Sequence, residues 1–265
     1  RRPERLDVKK NWRRRIVRIV PLYWLLTLLM VAVALVAPGL FKTLKVAPAT
    51  LVQSLLFIPH FSQSFPGNVW PLLVPGWTLN FEMFFYAVFG LALLLPERIR
   101  LLPLVTFFVI LTAIGLAFGP FASAAAQTYT HPMLLEFAAG ASIAAWWLSG
   151  RWRLPPATSW LLIGAGAVLL VVRDQEPFGT SMQIMGAVFV LIGALDTRFA
   201  AWRSRLLLAL GDASYSIYLT HIFTLGALRV LWGKVVHSEP TIFSTALFML
   251  TSLVIRILGL AANGR

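Results

Sequence analysis

The chain contains no cysteine in 265 residues, only 12% charged residues, and just ten acidic side chains against 23 lysines and arginines. Without cysteine there can be no disulfide, no thiolate metal site and no cysteine nucleophile. So few charges cannot clothe a soluble surface, since soluble domains average about 25% charged and about 45–50% apolar residues. What fills the chain instead is hydrophobic, at 58%, with a mean hydropathy of +0.79. Several runs approach the roughly 20 apolar residues needed to cross about 30 Å of hydrocarbon. These numbers predict an all-α protein, a polytopic transmembrane helical bundle.

Eight spans can be placed, at 19–40, 76–95, 101–119, 133–148, 160–172, 181–195, 213–232 and 241–260. Between the first two lies LVQSLLFIPHF (51–61), followed by SQSFPGNVWPLLVP, too short and too rich in proline and polar residues to cross. It predicts a re-entrant or interfacial segment, which a membrane tolerates only where backbone is buried in protein or lines water. No repeat, low-complexity tract or extramembranous domain interrupts residues 1–265, so a single membrane domain is expected. With the amino terminus inside, the inner connections hold sixteen lysines and arginines and the outer ones four. That bias places both ends of the chain in the cytoplasm. It also explains the net charge of +13 without a nucleic-acid partner.

Ionisable groups within hydrocarbon are costly and are functional candidates by default. The first are in RRRIVRIVPLYW (13–24), where Arg15 and Arg18 are three apart and share a helix face. Two planar guanidiniums there can converge on one phosphate, with Arg14 as a neighbouring cation. Arg13 and Arg14 also suit a topological anchor, and an anchor accounts for the whole cluster equally well. The second is Glu82 in GWTLNFEMFFY (76–86), with Thr78 and Tyr86 one turn to either side on the same face. A carboxyl in this setting suits a general acid or base, or a structural pair with an arginine. The third is LGDASYSIYLTHIF (210–223), in which Ser214, Tyr218 and His221 form a stripe and Asp212 is placed to cap a helix start. His221 there is either a proton carrier or a helix-joining polar group. His60, Asn80, His131 and Glu136 are lesser candidates. No His/Asp/Glu cluster has metal-ligand spacing, so no metal is expected.

Taken together, RRRIVRIVPLYW, PGWTLNFEMFFY, LLEFAAG (134–140) and LGDASYSIYLTHIF resemble the acyltransferase 3 family of membrane proteins, and most closely its exopolysaccharide-production branch. The resemblance covers nearly the whole chain. It implies an enzyme of the bacterial inner membrane that moves an acyl group, usually acetyl, from acyl-CoA to a hydroxyl of a lipid-linked or surface glycan. No bound cofactor is implied; acyl-CoA is a substrate. By motif, Arg15 and Arg18 correspond to the family's arginine pair, Trp77 and Glu82 to its GW-S/T-L-x-x-E element, and Ser214, Tyr215, Tyr218 and His221 to its later polar helix. With Asn80, Tyr86 and His60 these complete the expected cavity. The family's proposed catalytic histidine lies on a first helix, and about ten helices are implied. The expectation is therefore an amino-terminally truncated domain whose own activity is open. Two other readings stay open: a transporter for lipid-linked saccharides, and an inactive remnant.

Overall fold

In the computed structural model, residues 8–41, 43–150, 154–171, 179–195 and 205–235 are described, and every regular element among them is helical. The first helix, α1, runs Val8–Val36. It therefore starts eleven residues before the expected span and takes in all four arginines. Arginine is a good helix former and residues 8–18 hold no breaker; Pro21 lies inside the helix beyond them. It ends at Val36 because Pro38 disfavours helical backbone before it, and a 3-10 turn, Pro38–Leu40, follows.

A stripe of α1 residues, Ile19, Tyr23, Leu26 and Met30, is buried at helical spacing. It packs on Phe57, Leu72, Leu73 and Leu79 and on Leu219 from a distant helix. Tyr23 is wholly buried and donates its hydroxyl to the Ser54 carbonyl at 3.1 Å. Trp24 Nε1 donates to the Leu55 carbonyl at 2.8 Å. These two bonds dock the short helix α2, Pro48–Leu55, onto α1.

The stretch after α2 has no regular structure until the 3-10 turn Val74–Gly76, and Ser54 holds it. Its Oγ accepts the Leu72 N–H at 3.0 Å and lies 3.5 Å from His60 Nε2. The other ring nitrogen, Nδ1, donates to the Ile58 carbonyl at 2.9 Å. Part of this stretch packs on protein, with His60, Leu72 and Leu73 buried, while Phe61, Phe65 and residues 66–68 are exposed.

Helix α3, Trp77–Ala92, runs antiparallel to α1, as the pairing of their residues requires. Gly76 faces Tyr23, where an added Cβ would meet Cε2 at 2.5 Å, and Gly90 faces the Trp12 indole. Beyond it come α4 (Leu101–Phe118), the short α5 (Ala124–Tyr129) and α6 (Leu134–Leu148). Phe81, Leu104, Phe108, Leu134 and Ala138 form a second core there.

Helices α7 (Pro156–Val171) and α8 (Gly179–Ala194) form a close pair. Ser159 and Gly166 on one face Gly193 and Gly186 on the other. A Cβ on Gly166 would lie 2.6 Å from the Gly186 carbonyl, and one on Gly193 would lie 2.5 Å from that of Ser159. Small residues let membrane helices approach backbone to backbone.

The last described helix, α9, is Arg205–Val235. Gly211 and Asp212 thus lie inside a helix and not at its start. The leucine-rich stretch before them extends the helix and outweighs the roughly 1 kcal/mol cost of an interior glycine. Asp212 is exposed and caps nothing.

Among the described residues, two helical stretches are long and apolar enough to cross a membrane, Trp12–Val36 and Leu101–Phe118. Pro156–Val171 and Met182–Ala194 are apolar but shorter. The all-helical class stands, whereas eight full spans do not emerge from length and composition, because several helices hold only 15 or 16 residues. The expected span at 241–260 lies outside the described residues.

Candidate active site

On α3, Glu82 and Tyr86 are one turn apart, and the Tyr86 hydroxyl donates to Glu82 Oε1. Across from them, Arg15 of α1 stacks its guanidinium on the Tyr86 ring, with its central carbon 4.1 Å from the ring centroid. The phenol thus links cation and carboxyl: its face meets Arg15 and its edge hydroxyl meets Glu82. Arg15 reaches this position because α1 is helical through its basic stretch. Trp12, Arg15, Ile19 and Tyr23, spaced by three, four and four, all turn towards α3.

The third wall is α9. Tyr215 donates its hydroxyl to the Ile19 carbonyl at 2.7 Å, and Tyr218 donates to the Pro75 carbonyl at 2.9 Å. Thr78 Oγ1 lies 3.1 Å from the Tyr218 oxygen and 3.2 Å from the same carbonyl. Residues that are 196 and 143 positions apart in the chain are joined by these two phenols. Ser214 is exposed and donates to the Gly211 carbonyl one turn back, at 2.8 Å.

Between the three helices lies a cavity of about 610 Å³. Arg14, Arg15, Arg18 and Ile19 line it from α1, Glu82 and Tyr86 from α3, and Ser214, Tyr215 and Tyr218 from α9. Arg14 and Arg18 are exposed at its rim and Arg15 is half-buried. Three guanidiniums and one carboxyl give the chamber a positive balance. It is electrostatically suited to an anion, and guanidinium forks favour phosphate. Its size falls within the roughly 300–1,000 Å³ of small-molecule sites, well beyond a lone phosphate ion.

The structure brings together Arg14, Arg15, Arg18, Glu82, Tyr86, Ser214, Tyr215 and Tyr218, and leaves the remaining candidates elsewhere. His221 is absent from the wall; its Nδ1 donates to the Tyr218 carbonyl and its ring lies 5.6 Å from the Tyr218 ring. His60 is buried, and its nitrogens face Ile58 and Ser54. Asn80 is buried in α3 away from the cavity wall. Trp77 lines a separate, smaller cavity with His131. Glu136 is exposed on α6. Ile19, Tyr23 and the Pro75 carbonyl shape the site without having drawn notice in the sequence. The signal for Tyr23 was its position, eight residues after Arg15 on the same helix face.

A family model described as an acyltransferase domain matches residues 1–260. The chain belongs to the acyltransferase 3 family. It is 41% identical over 216 residues to "Exopolysaccharide production protein ExoZ" of Rhizobium meliloti (strain 1021), covering 80% of this chain and 66% of that protein. It is 30% identical over 265 residues to "Putative membrane-bound transacylase BcsY" of Komagataeibacter xylinus, covering 89% and 66%. The chain thus spans just under two thirds of the length of these relatives. No solved structure matches it.

Proposed function

We propose that the protein is an integral membrane O-acyltransferase of the bacterial cytoplasmic membrane. It moves an acyl group, acetyl being the expected one, from acyl-CoA to a hydroxyl of an exopolysaccharide or a related surface glycan. One observation carries this reading within the acyltransferase family: the arginine cluster and the Glu82–Tyr86 pair open onto one chamber. Acyl transfer from a nucleotide thioester needs both parts, a cationic grip for phosphates and a proton-handling group near the reacting carbon.

In this reading Arg14, Arg15 and Arg18 hold the phosphates of the donor at the cytoplasmic mouth, and its thioester arm extends along α3 towards Glu82. The acceptor oxygen bonds to the acyl carbon, the carbon–sulfur bond breaks, and the acceptor's proton ends on the departing thiolate. Glu82, held by the Tyr86 hydroxyl, is placed to take that proton or to orient the group that does. Lipid-linked and polymeric acceptors share the hydroxyl chemistry this requires.

The test uses the full-length protein in membranes with radiolabelled acetyl-CoA. An Arg15→Ala/Arg18→Ala variant removes two charge-assisted contacts, each about 1.5–3 kcal/mol. Labelled glycan should fall at least tenfold at limiting donor, with partial recovery at high donor concentration. Unchanged labelling would refute the donor-binding role.

A further inference from the structure

A second cavity, of about 150 Å³, lies on another face of α3. Its α3 residues, Trp77 and Phe81, precede Glu82 and Tyr86 by five positions each. On an α-helix that is a rotation of about 140° and an axial offset of about 7.5 Å. The helix body therefore stands between the two chambers. Given the proposed orientation of α1, the smaller one opens at the outer end of the bundle.

Its lining differs in kind from that of the larger site. Trp70, Trp77 and Phe81 supply aromatic surface; Asn68, Gln127 and His131 supply hydrogen-bonding groups. No lysine, arginine, aspartate or glutamate lines it among the described residues. The volume is about half the roughly 300 Å³ lower bound for drug-sized ligands, which suits a single ring.

The walls are set before any ligand arrives. Pro66 and Gly67 occupy the centre of a turn in which the Asn68 N–H donates to the Phe65 carbonyl at 3.2 Å. Gly67 has φ +86°, the left-handed value that the third position of a type II turn requires. The loop is closed by the Ser62 N–H donating to the Asn68 carbonyl at 2.8 Å. Phe65 braces Trp70 edge-on, with ring centroids 5.4 Å apart. Trp77 and Phe81 stand edge to face at 5.9 Å. On the other side, the Met133 N–H donates to His131 Nδ1 at 3.2 Å. That bond makes Nδ1 the acceptor, and the ring packs beside Phe81 with centroids 5.6 Å apart.

Aromatic faces beside two amides and an imidazole ring are the complement of a pyranose. The ring's C–H face packs on an indole while its hydroxyls give and take hydrogen bonds. A phosphate or carboxylate finds no cation here, and a lipid tail would strand the polar groups. We propose that this cavity is a recognition subsite for a neutral sugar ring of the acceptor glycan, remote from the ring that is acylated. The inference rests on the acyltransferase reading for calling the glycan an acceptor, and on the cavity alone for its binding of sugar.

The experiment places the full-length protein in nanodiscs and titrates it with cellotetraose, with maltotetraose and, in parallel, with CoA. At least one tetrasaccharide should bind saturably. Gln127→Ala and Trp70→Ala should each weaken that binding at least tenfold and leave the CoA titration unchanged; Gln127→Ala keeps the test sound should the tryptophan variant fold poorly. If the wild type binds neither tetrasaccharide, or binds one with an affinity that Gln127→Ala leaves unmoved, the subsite is overturned. Sugar binding that depends on Gln127 without any CoA binding would support the subsite and remove the donor reading. CoA binding without sugar binding would do the reverse.

Discussion

Tyr86 does two jobs with one ring, and the two can be separated by substitution. Tyr86→Phe keeps the aromatic face under Arg15, a contact of about 0.5–2 kcal/mol, but deletes the donor to Glu82. Turnover should fall roughly 10- to 100-fold, the range for a hydrogen bond to a charged partner, while CoA affinity holds; single-turnover kinetics beside a CoA titration would show the split. Tyr86→Leu removes both contacts, so CoA affinity should fall as well. The residues of this site were legible in the sequence mainly through rarity. In a chain so poor in acids, a glutamate inside an apolar run stands out, and so do arginines three apart. The histidines were poor guides for a physical reason. His60 is engaged by Ile58 and Ser54, neighbours within six residues in a stretch without periodicity, and no spacing rule reveals such a contact. His221 kept its helix position, but its Nδ1 bonds back to its own helix.

At the level of elements, the stretch between α2 and α3 hangs on one hydroxyl. Ser54→Ala leaves the Leu72 N–H without its acceptor and takes the nearby oxygen from His60. A loss of about 1–3 kcal/mol is expected, seen as a lower melting temperature in detergent with α1 intact by helical circular dichroism. The α7–α8 pair depends instead on absent side chains. Gly166→Ala points a methyl at the α8 backbone, which cannot turn aside as a side chain can. Overpacking of this sort costs about 1–3 kcal/mol, and reduced thermal stability without loss of donor affinity is the expected result. Most helices could be read from their apolar runs to within a few residues, since proline and glycine punctuate them. The ends of α1 and α9 could not, because arginine-rich and leucine-rich flanks continue a helix as readily as they leave one. Nor could hydropathy reveal that Gly76 and Gly90 seat the rings of Tyr23 and Trp12.

For the whole molecule, the missing cysteines become an advantage. Single cysteines at exposed positions can report sidedness with no native thiol among these 265 residues to remove first. With the basic connections inside, Gln63→Cys should react with a membrane-impermeant maleimide on intact cells. Glu97→Cys should react only after the membrane is opened. The opposite pattern would invert the orientation drawn from the sixteen-to-four charge bias.

The joints around the larger chamber differ in kind. Where α1 meets α3, two rings sit in notches floored by glycine, so neither helix can slide without driving an indole or a phenol into a methylene. Helix α9 meets the same frame through two phenolic hydroxyls, bonds of about 0.5–1.5 kcal/mol each, and through Leu219, which is wholly buried in the core shared with α1 and α3. Losing either phenol therefore removes a polar tie between α9 and the frame, while the buried Leu219 contact and the arginines of α1 stay where they are.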